Sequence, residues 1–309
     1  MTRLNCQPIL NGTAKSFLLL AFLCTANMPQ LSAEETATID TDDQPVAAKI
    51  PDVKDARAKP VVLRYQFHPN QFLHYEVVHE MVIEMTAKEV TEKTRNKSIS
   101  KQHLRVVSVD SEGGAVIEPT LDYVRMTSQF DDSAPTEFDS DDPNKQPPQF
   151  AKVLESIGRP QGWQRLDALG NIVLGDDTST SMNSSSLLIP LPEQAVEVGA
   201  TWNEDYSVKV RASQKLERSI KLRRKFTLTR LEGDVASIEF KTVELDNPQD
   251  PEIRAQLIQM TPSGKVQFDV KAGKIVAKTM HSDKVEFDIA GGVMRAVSDR
   301  TEKLFTPKK

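Results

Sequence analysis

From Asn70 to Met85 the chain alternates strictly: Leu73, Tyr75, Val77, His79, Met81, Ile83 and Met85 fall on one face, and His74, Glu76, Glu80 and Glu84 on the other. A period of two with one apolar side is the pattern of a long half-buried strand. Similar runs follow at His103–Val109, Ala115–Met126, Thr201–Val210, Ser219–Leu231, Val235–Leu245, Lys265–Val270, Lys274–His281, Lys284–Ile289 and Val293–Ser298. The connectors Ser111-Glu-Gly-Gly114, Glu232-Gly-Asp234, Pro262-Ser-Gly264 and Lys271-Ala-Gly-Lys274 are short and carry glycine, which suits turns between antiparallel neighbours. The pattern predicts an all-β protein, a large curved antiparallel sheet or open barrel, with one or two short helices.

Helical spacing occurs at Gln149–Ile157, where Phe150, Val153, Leu154 and Ile157 share a face and Gly158 and Pro160 stop the run. Ile253–Met260 fits strand or helix. The strands fall in two halves with similar entries, Phe72-Leu-His-Tyr-Glu-Val-Val and Trp202-Asn-Glu-Asp-Tyr-Ser-Val. Two related halves are one reading, and the common look of twisted meanders is the other.

Residues 1–33 read as a signal peptide. Arg3 and Lys15 are the only charges, Phe17–Ala26 is apolar over about ten residues, about half of a membrane span, and Leu31-Ser-Ala33 offers small residues for cleavage. Cleavage near Ala33 is expected, with Ala26 as the alternative, and no stable membrane span. Both cysteines, Cys6 and Cys24, leave with this segment, so disulfides, thiolate metal sites and thiol nucleophiles are excluded from the mature protein. The expected place is the periplasm or the exterior.

Residues 34–60 are rich in Ala, Pro, Asp and Lys and lack aromatics, the composition of a disordered tether. A single β-rich domain then takes up 61–309, long enough to bury a sizeable core, with a flexible acidic loop at 131–148. That loop holds Asp131, Asp132, Glu137, Asp139, Asp141 and Asp142 but lacks the glycine-bearing spacing of a calcium hand. Loss of Arg3 and Lys15 takes the formal charge from −5 to −7, which argues against nucleic acid as a partner.

Candidate sites follow from residues that break the pattern. His79 lies on the apolar face of its strand, and Arg224 lies on the apolar side of Ser219–Leu231, where an unpaired charge is costly. Both are candidate ligand-binding residues. For Arg224 the choices are a buried carboxylate partner, a rim position or a cavity for an anionic head group. Lys221, Arg223 and Lys225 project together on the other side of that strand as a candidate interaction surface. His74 and Glu76 share a polar face, with Glu80 further along, but no metal site or cofactor is expected from this pair. Asn96-Lys-Ser98 spells a glycosylation sequon, as does the sequence at Asn183. Neither a nucleophile elbow nor a phosphate-binding glycine loop occurs, and Ser98-Ile-Ser-Lys101 lacks the further motifs of a penicillin-binding enzyme. No catalytic residue is assigned.

Two segments, Pro192-Glu-Gln-Ala-Val-Glu-Val-Gly-Ala-Thr-Trp202 and Ser263-Gly-Lys-Val-Gln-Phe-Asp-Val-Lys-Ala-Gly-Lys-Ile-Val, resemble an uncharacterised family of exported bacterial β-rich proteins. That family is distantly similar to lipoprotein-carrier (Lol-type) half-barrels, and the resemblance covers mainly 61–126 and 187–290. Ala200 stands where the family pattern has an acidic residue. The resemblance implies no enzymatic activity.

The expected function is therefore non-enzymatic: binding of a hydrophobic or amphipathic ligand, such as a lipid, in the concavity of the sheet. The alternative is a structural or interaction module that recognises an envelope protein. A hydrolase is the third reading and needs a convergent His-carboxylate pair around a pocket.

Overall fold

The alternating run at Leu73 folds as β1 (Phe72–Ala87), flanked antiparallel by β2 (Val90–Val109) and by β12 (Gly292–Phe305). The structure is a computed structural model and describes residues 59–175, 187–213, 216–289 and 291–307. The leader, almost all of the tether and the Asn183 sequon lie outside the described residues. Strand makes up 60% and helix 9%, so the all-β expectation holds.

The remaining strands are β3 (Ala115–Phe130), β4 (Thr136–Asp139), β5 (Gln164–Leu166), β6 (Ile172–Gly175), β7 (Thr201–Ser213), β8 (Leu216–Glu232), β9 (Val235–Glu244), β10 (Ser263–Asp269) and β11 (Lys274–Ile289). They form one antiparallel sheet in the order β6-β5-β3-β2-β1-β12-β11-β10-β9-β8-β7, with β4 added to β3. The edges β6 and β7 are not joined, so the sheet stays open. Two meanders, β1–β6 and β7–β12, meet where β1 pairs with β12 from His74–Phe305 to Thr86–Val293.

Register sorts the side chains into two faces. Leu73, Tyr75, Val77 and Met81 of β1 share one face with Leu104, Ile117, Phe226, Leu228, Ile238, Val266 and Phe268, all buried. Two segments of the chain lie against the apolar end of this covered face: 61–67, with Leu63, Tyr65 and Phe67, and 187–191, with Leu187, Leu188, Ile189 and Leu191. The Tyr65 hydroxyl ties them, donating to the Ile189 carbonyl at 2.9 Å and accepting from the Ile189 N–H at 3.0 Å. Trp202 donates its indole N–H to the Pro190 carbonyl at 2.9 Å, so β7 grips the same strap.

Two helices complete the cover. In α2 (Pro251–Leu257), Asp250 caps the N–H groups of Glu252 and Ile253, and proline occupies the first turn where no N–H is needed. Its Ile253 and Leu257 bury against Val210, Ile220 and Leu222, and this packing decides the ambiguous segment for helix. The helix read at Gln149–Ile157 is a 3-10 turn followed by α1 (Ala151–Ser156). Phe150 there stacks on Phe138 of β4 at 4.9 Å, which makes the middle of the acidic stretch a strand instead of a loop throughout.

The longest stretch that alternation missed is the first half of β2. Thr94, Asn96 and Ser100 face the covered side and are buried, so the positions that should announce a strand by being apolar are polar. Asn96 is only 5% exposed, which closes its sequon to a glycan in the folded protein.

Candidate functional site: a charged belt on the covered face

Beyond the strap, the covered face turns polar along a row of neighbouring strands. On β8, Arg224 lies between Leu222 and Phe226 by alternation and points inward. Its guanidinium donates to Glu204 of β7 at 3.3 Å, to the Tyr206 hydroxyl at 3.1 Å and to the Thr242 hydroxyl of β9 at 3.4 Å. It also sits 5.2 Å from the Tyr206 ring centre and 5.4 Å from that of Phe240, both within cation–π range. Of the three settings open to Arg224 in the sequence, a half-buried carboxylate partner is the one found.

Further along, Lys278 of β11 lies 2.9 Å from Glu302 of β12, and Arg300 donates to the other Glu302 oxygen at 2.7 Å. His79 is paired in register with Arg300, and its Nε2 lies 2.9 Å from the Ser298 hydroxyl. The belt thus places His79 and Arg224 on one face, with Lys278, Glu302 and Arg300 between them. Four strands of the sheet path, β12, β11, β10 and β9, lie between their strands, so they are not neighbours in the sheet.

The charges feel one another across the sheet. Burial raises the Glu204 carboxyl above its ordinary value, while Arg224 and Lys278 pull it back. The strap reports the curvature of the sheet: its Pro190 carbonyl accepts from Trp202 of β7 and its Leu191 N–H donates to Leu169 in the β5–β6 turn, so the two ends of the sheet path meet on adjacent residues and the covered face is concave. Burial, with help from Arg300 and Arg224, lowers Lys278 to about 8, and Glu302 opposes that shift. Burial and then Arg300 lower His79 to about 4, so the imidazole is neutral near pH 7.

Sequence reasoning singled out His79 and Arg224 but missed their companions. Glu204 shares its period with Trp202 and Tyr206 and was readable as a carboxylate on an inward face. Lys278 was hidden by a bulge: the register shift between Gln267 and Phe268 lets both Ile275 and Lys278 face inward, three residues apart, which breaks the period of two.

The candidate interaction residues Lys221, Arg223 and Lys225 lie on the uncovered face. Arg223 is held there by Asp205 through two bonds of 2.6 Å, and the Lys221 N–H donates to Asp246. A depression of ≈ 470 Å³ is lined by Glu239, Lys265, His281 and Asp299 of the uncovered face together with Phe240, Met280 and Arg300, and one of ≈ 230 Å³ by Val82, Glu84, Lys93, Arg295 and Val297. Neither is an enclosed apolar chamber.

All six methionines among the described residues belong to the covered side. Met81, Met85, Met280 and Met294 face it by register, Met126 packs against Val124 and Phe138, and Met260 packs beside α2. Met85 and Met294 are direct cross-strand partners. Methionine is the flexible apolar side chain that adapts to irregular ligands.

No family model matches the chain, and no curated protein matches it. Among solved structures, one described as "Lipid-protein interactions in lipovitellin" matches with a TM-score of 0.48 and 10% identity over 79% of this chain, which spans 26% of that one. The translocator domain of the autotransporter NalP from Neisseria meningitidis matches at a TM-score of 0.29 and 9% identity, over 77% of this chain and 90% of that one. A putative outer membrane lipoprotein-sorting protein domain from Vibrio parahaemolyticus, at 0.12 and 9%, covers 76% of this chain and 87% of its own. A DUF1329 family protein from Desulfovibrio piger, at 0.15 and 10%, covers 75% and 84%. All four lie below a TM-score of 0.5 and at 10% identity or less.

Proposed function

We propose that this is an exported, non-enzymatic binding protein that holds an amphipathic ligand on the concave face of its sheet. The ligand's anionic head contacts Arg224 or Arg300, the belt cations that keep some exposure, and its apolar tail lies along the methionines beyond them. The observation that carries this reading is the belt itself. Buried ion pairs are replaceable by apolar residues at little or no loss of stability, so a row of them in a concave face needs a reason other than stability. The deep apolar end of the concavity is taken by the chain's own strap, which leaves the belt and the methionine surface for a ligand.

The test is direct. Protein purified from its native host is examined by native mass spectrometry and by displacement of a long-chain fluorescent fatty acid. Bound small-molecule mass, and fluorescent-acid affinity reduced about tenfold or more in Arg224→Leu or Arg300→Leu, support the reading. Protein that is always free of ligand and ignores the fluorescent acid overturns it.

The interaction-module reading is favoured by a different observation. At the β6 edge of the sheet Ile172, Val173 and Leu174 are 46%, 61% and 58% exposed, an apolar edge of the kind that pairs with a strand of another protein. Val173→Lys should abolish such pairing with an envelope protein and leave fatty-acid binding intact.

A further inference from the structure

On the uncovered face, away from the belt, three strands bring two imidazoles and a carboxylate together. His74 of β1 and His103 of β2 are direct cross-strand partners, with ring centres 5.4 Å apart. Asp122 of β3 reaches the same spot because of a bulge: Lys101 pairs with Tyr123 and Gln102 with Leu121, which leaves Asp122 as the extra residue. Both Asp122 oxygens lie 2.8 Å from His103 Nδ1. One donor atom from each of the three residues lies within 4.8 Å of the other two. Bulges re-aim side chains in this manner beside functional sites.

We infer that His74, His103 and Asp122 form a binding site for a divalent transition-metal ion such as zinc. Nitrogen and carboxylate donors bind such an ion at about 2.0–2.2 Å, which places neighbouring donors about 3–3.5 Å apart. The His103–Asp122 separation is already near that range, and small side-chain rotations of His74 close the rest. The donor set selects the metal class. Two imidazoles suit zinc, copper or nickel, whereas calcium and magnesium take oxygen ligands.

The surroundings suit a site more than a plain surface pair. His103 retains only 16% of its side-chain exposure and Asp122 34%. Phe72 packs on both imidazoles, at 5.3 Å from His103 and 6.1 Å from His74, and Phe305 lies 5.8 Å from His74. These rings exclude water from one side and hold the imidazole planes. Three protein ligands leave further coordination positions open to solvent or to a ligand atom. The carboxylate at this spot comes from β3 across the sheet and not from Glu76 of the same strand as His74.

The experiment uses the untagged chain, titrated with zinc by calorimetry, with imidazole resonances followed by NMR. One zinc per chain is expected, shifting the His74 and His103 signals and sparing those of His68, His79 and His281. His74→Ala and Asp122→Asn should each weaken binding about tenfold or more, while His281→Ala, which removes an exposed imidazole paired to Asp299, should leave it unchanged. Absence of saturable binding, or zinc shifts centred on other histidines of the wild-type protein, overturns the site. The wild-type NMR decides the matter even where a variant fails to fold.

Discussion

The Lys278 ammonium lies 2.9 Å from a Glu302 oxygen with side-chain exposures of 3% and 1%, the most deeply buried ion pair among the described residues. Removing one partner leaves a charge with no water to take it up. Glu302→Leu should therefore destabilise the protein by about 3–5 kcal/mol, whereas Lys278→Met combined with Glu302→Leu should recover only part of that loss, because Arg300 also loses its Glu302 oxygen. Urea denaturation midpoints of wild type, single and double variants check this.

Lys278 also makes stability depend on alkaline pH. Its folded value of about 8 lies below the ordinary 10.5, so between these values the unfolded chain binds the extra proton. Stability should therefore rise as pH increases through that window, because the cost of a buried ammonium is relieved. The buried hydroxyls of Tyr65 and Tyr75, both held well above their ordinary 10.0 by burial, act in the opposite direction above about pH 10. Comparing denaturation at pH 7.5 and 9.5 isolates the lysine, and Lys278→Met should abolish the rise.

The long strands were legible because their inward residues are apolar. β1 alternates without a break, and β8 and β9 nearly so. What stayed hidden was polarity on the inward face and partnership across strands. The first half of β2 carries Thr94, Asn96 and Ser100 inward, so no hydrophobic period marks it. Lys284 sits inside the single strand β11, which the sequence broke into two runs near Ser282, a buried residue bonded to the Ile258 carbonyl. His103 and Asp122 join His74 only through sheet register, which no spacing along the chain reveals. Arg224 and His79 were visible because each violates an otherwise apolar row.

His79 should govern acid stability. Its folded value of about 4 lies below the ordinary 6.5, because burial and Arg300 disfavour the charged ring and only Asp299 favours it. Between those values the unfolded state binds more protons, so stability falls as pH drops from about 6.5 toward 4. Glu204, with its raised value, opposes this in the lower part of the window. His79→Gln should flatten the loss, as read from thermal denaturation at pH 7, 6 and 5.

Gly264 lies inward on β10 beneath the Phe240 ring. An added Cβ would meet the Thr279 carbonyl oxygen at 2.1 Å and the ring at 2.7 Å. The oxygen belongs to the sheet backbone and cannot move away cheaply. Gly264→Ala should cost about 1–3 kcal/mol as an overpacked site. Because Phe240 also lies against Arg224, the variant should weaken fatty-acid binding as well.

Tyr65 fastens the strap that occupies the apolar end of the concavity. Its hydroxyl serves both the N–H and the carbonyl of Ile189, so Tyr65→Phe leaves two buried backbone groups without partners, at a cost of about 1–3 kcal/mol. The ring stays, stacked on Phe67 at 5.4 Å and edge-on to Phe268 at 5.5 Å, so the core should hold while the strap loosens. Amide exchange should rise at Leu187–Leu191 above any change in β1. Tyr75→Phe is the matched control, because the Tyr75 hydroxyl donates to the Ile275 carbonyl within the sheet instead of to the strap. If the strap limits entry to the concave face, Tyr65→Phe should also speed uptake of the fluorescent fatty acid, and Tyr75→Phe should not. Equal uptake rates with faster exchange at Ile189 would mean that ligands enter over the methionine end of the sheet, leaving the strap a purely structural closure.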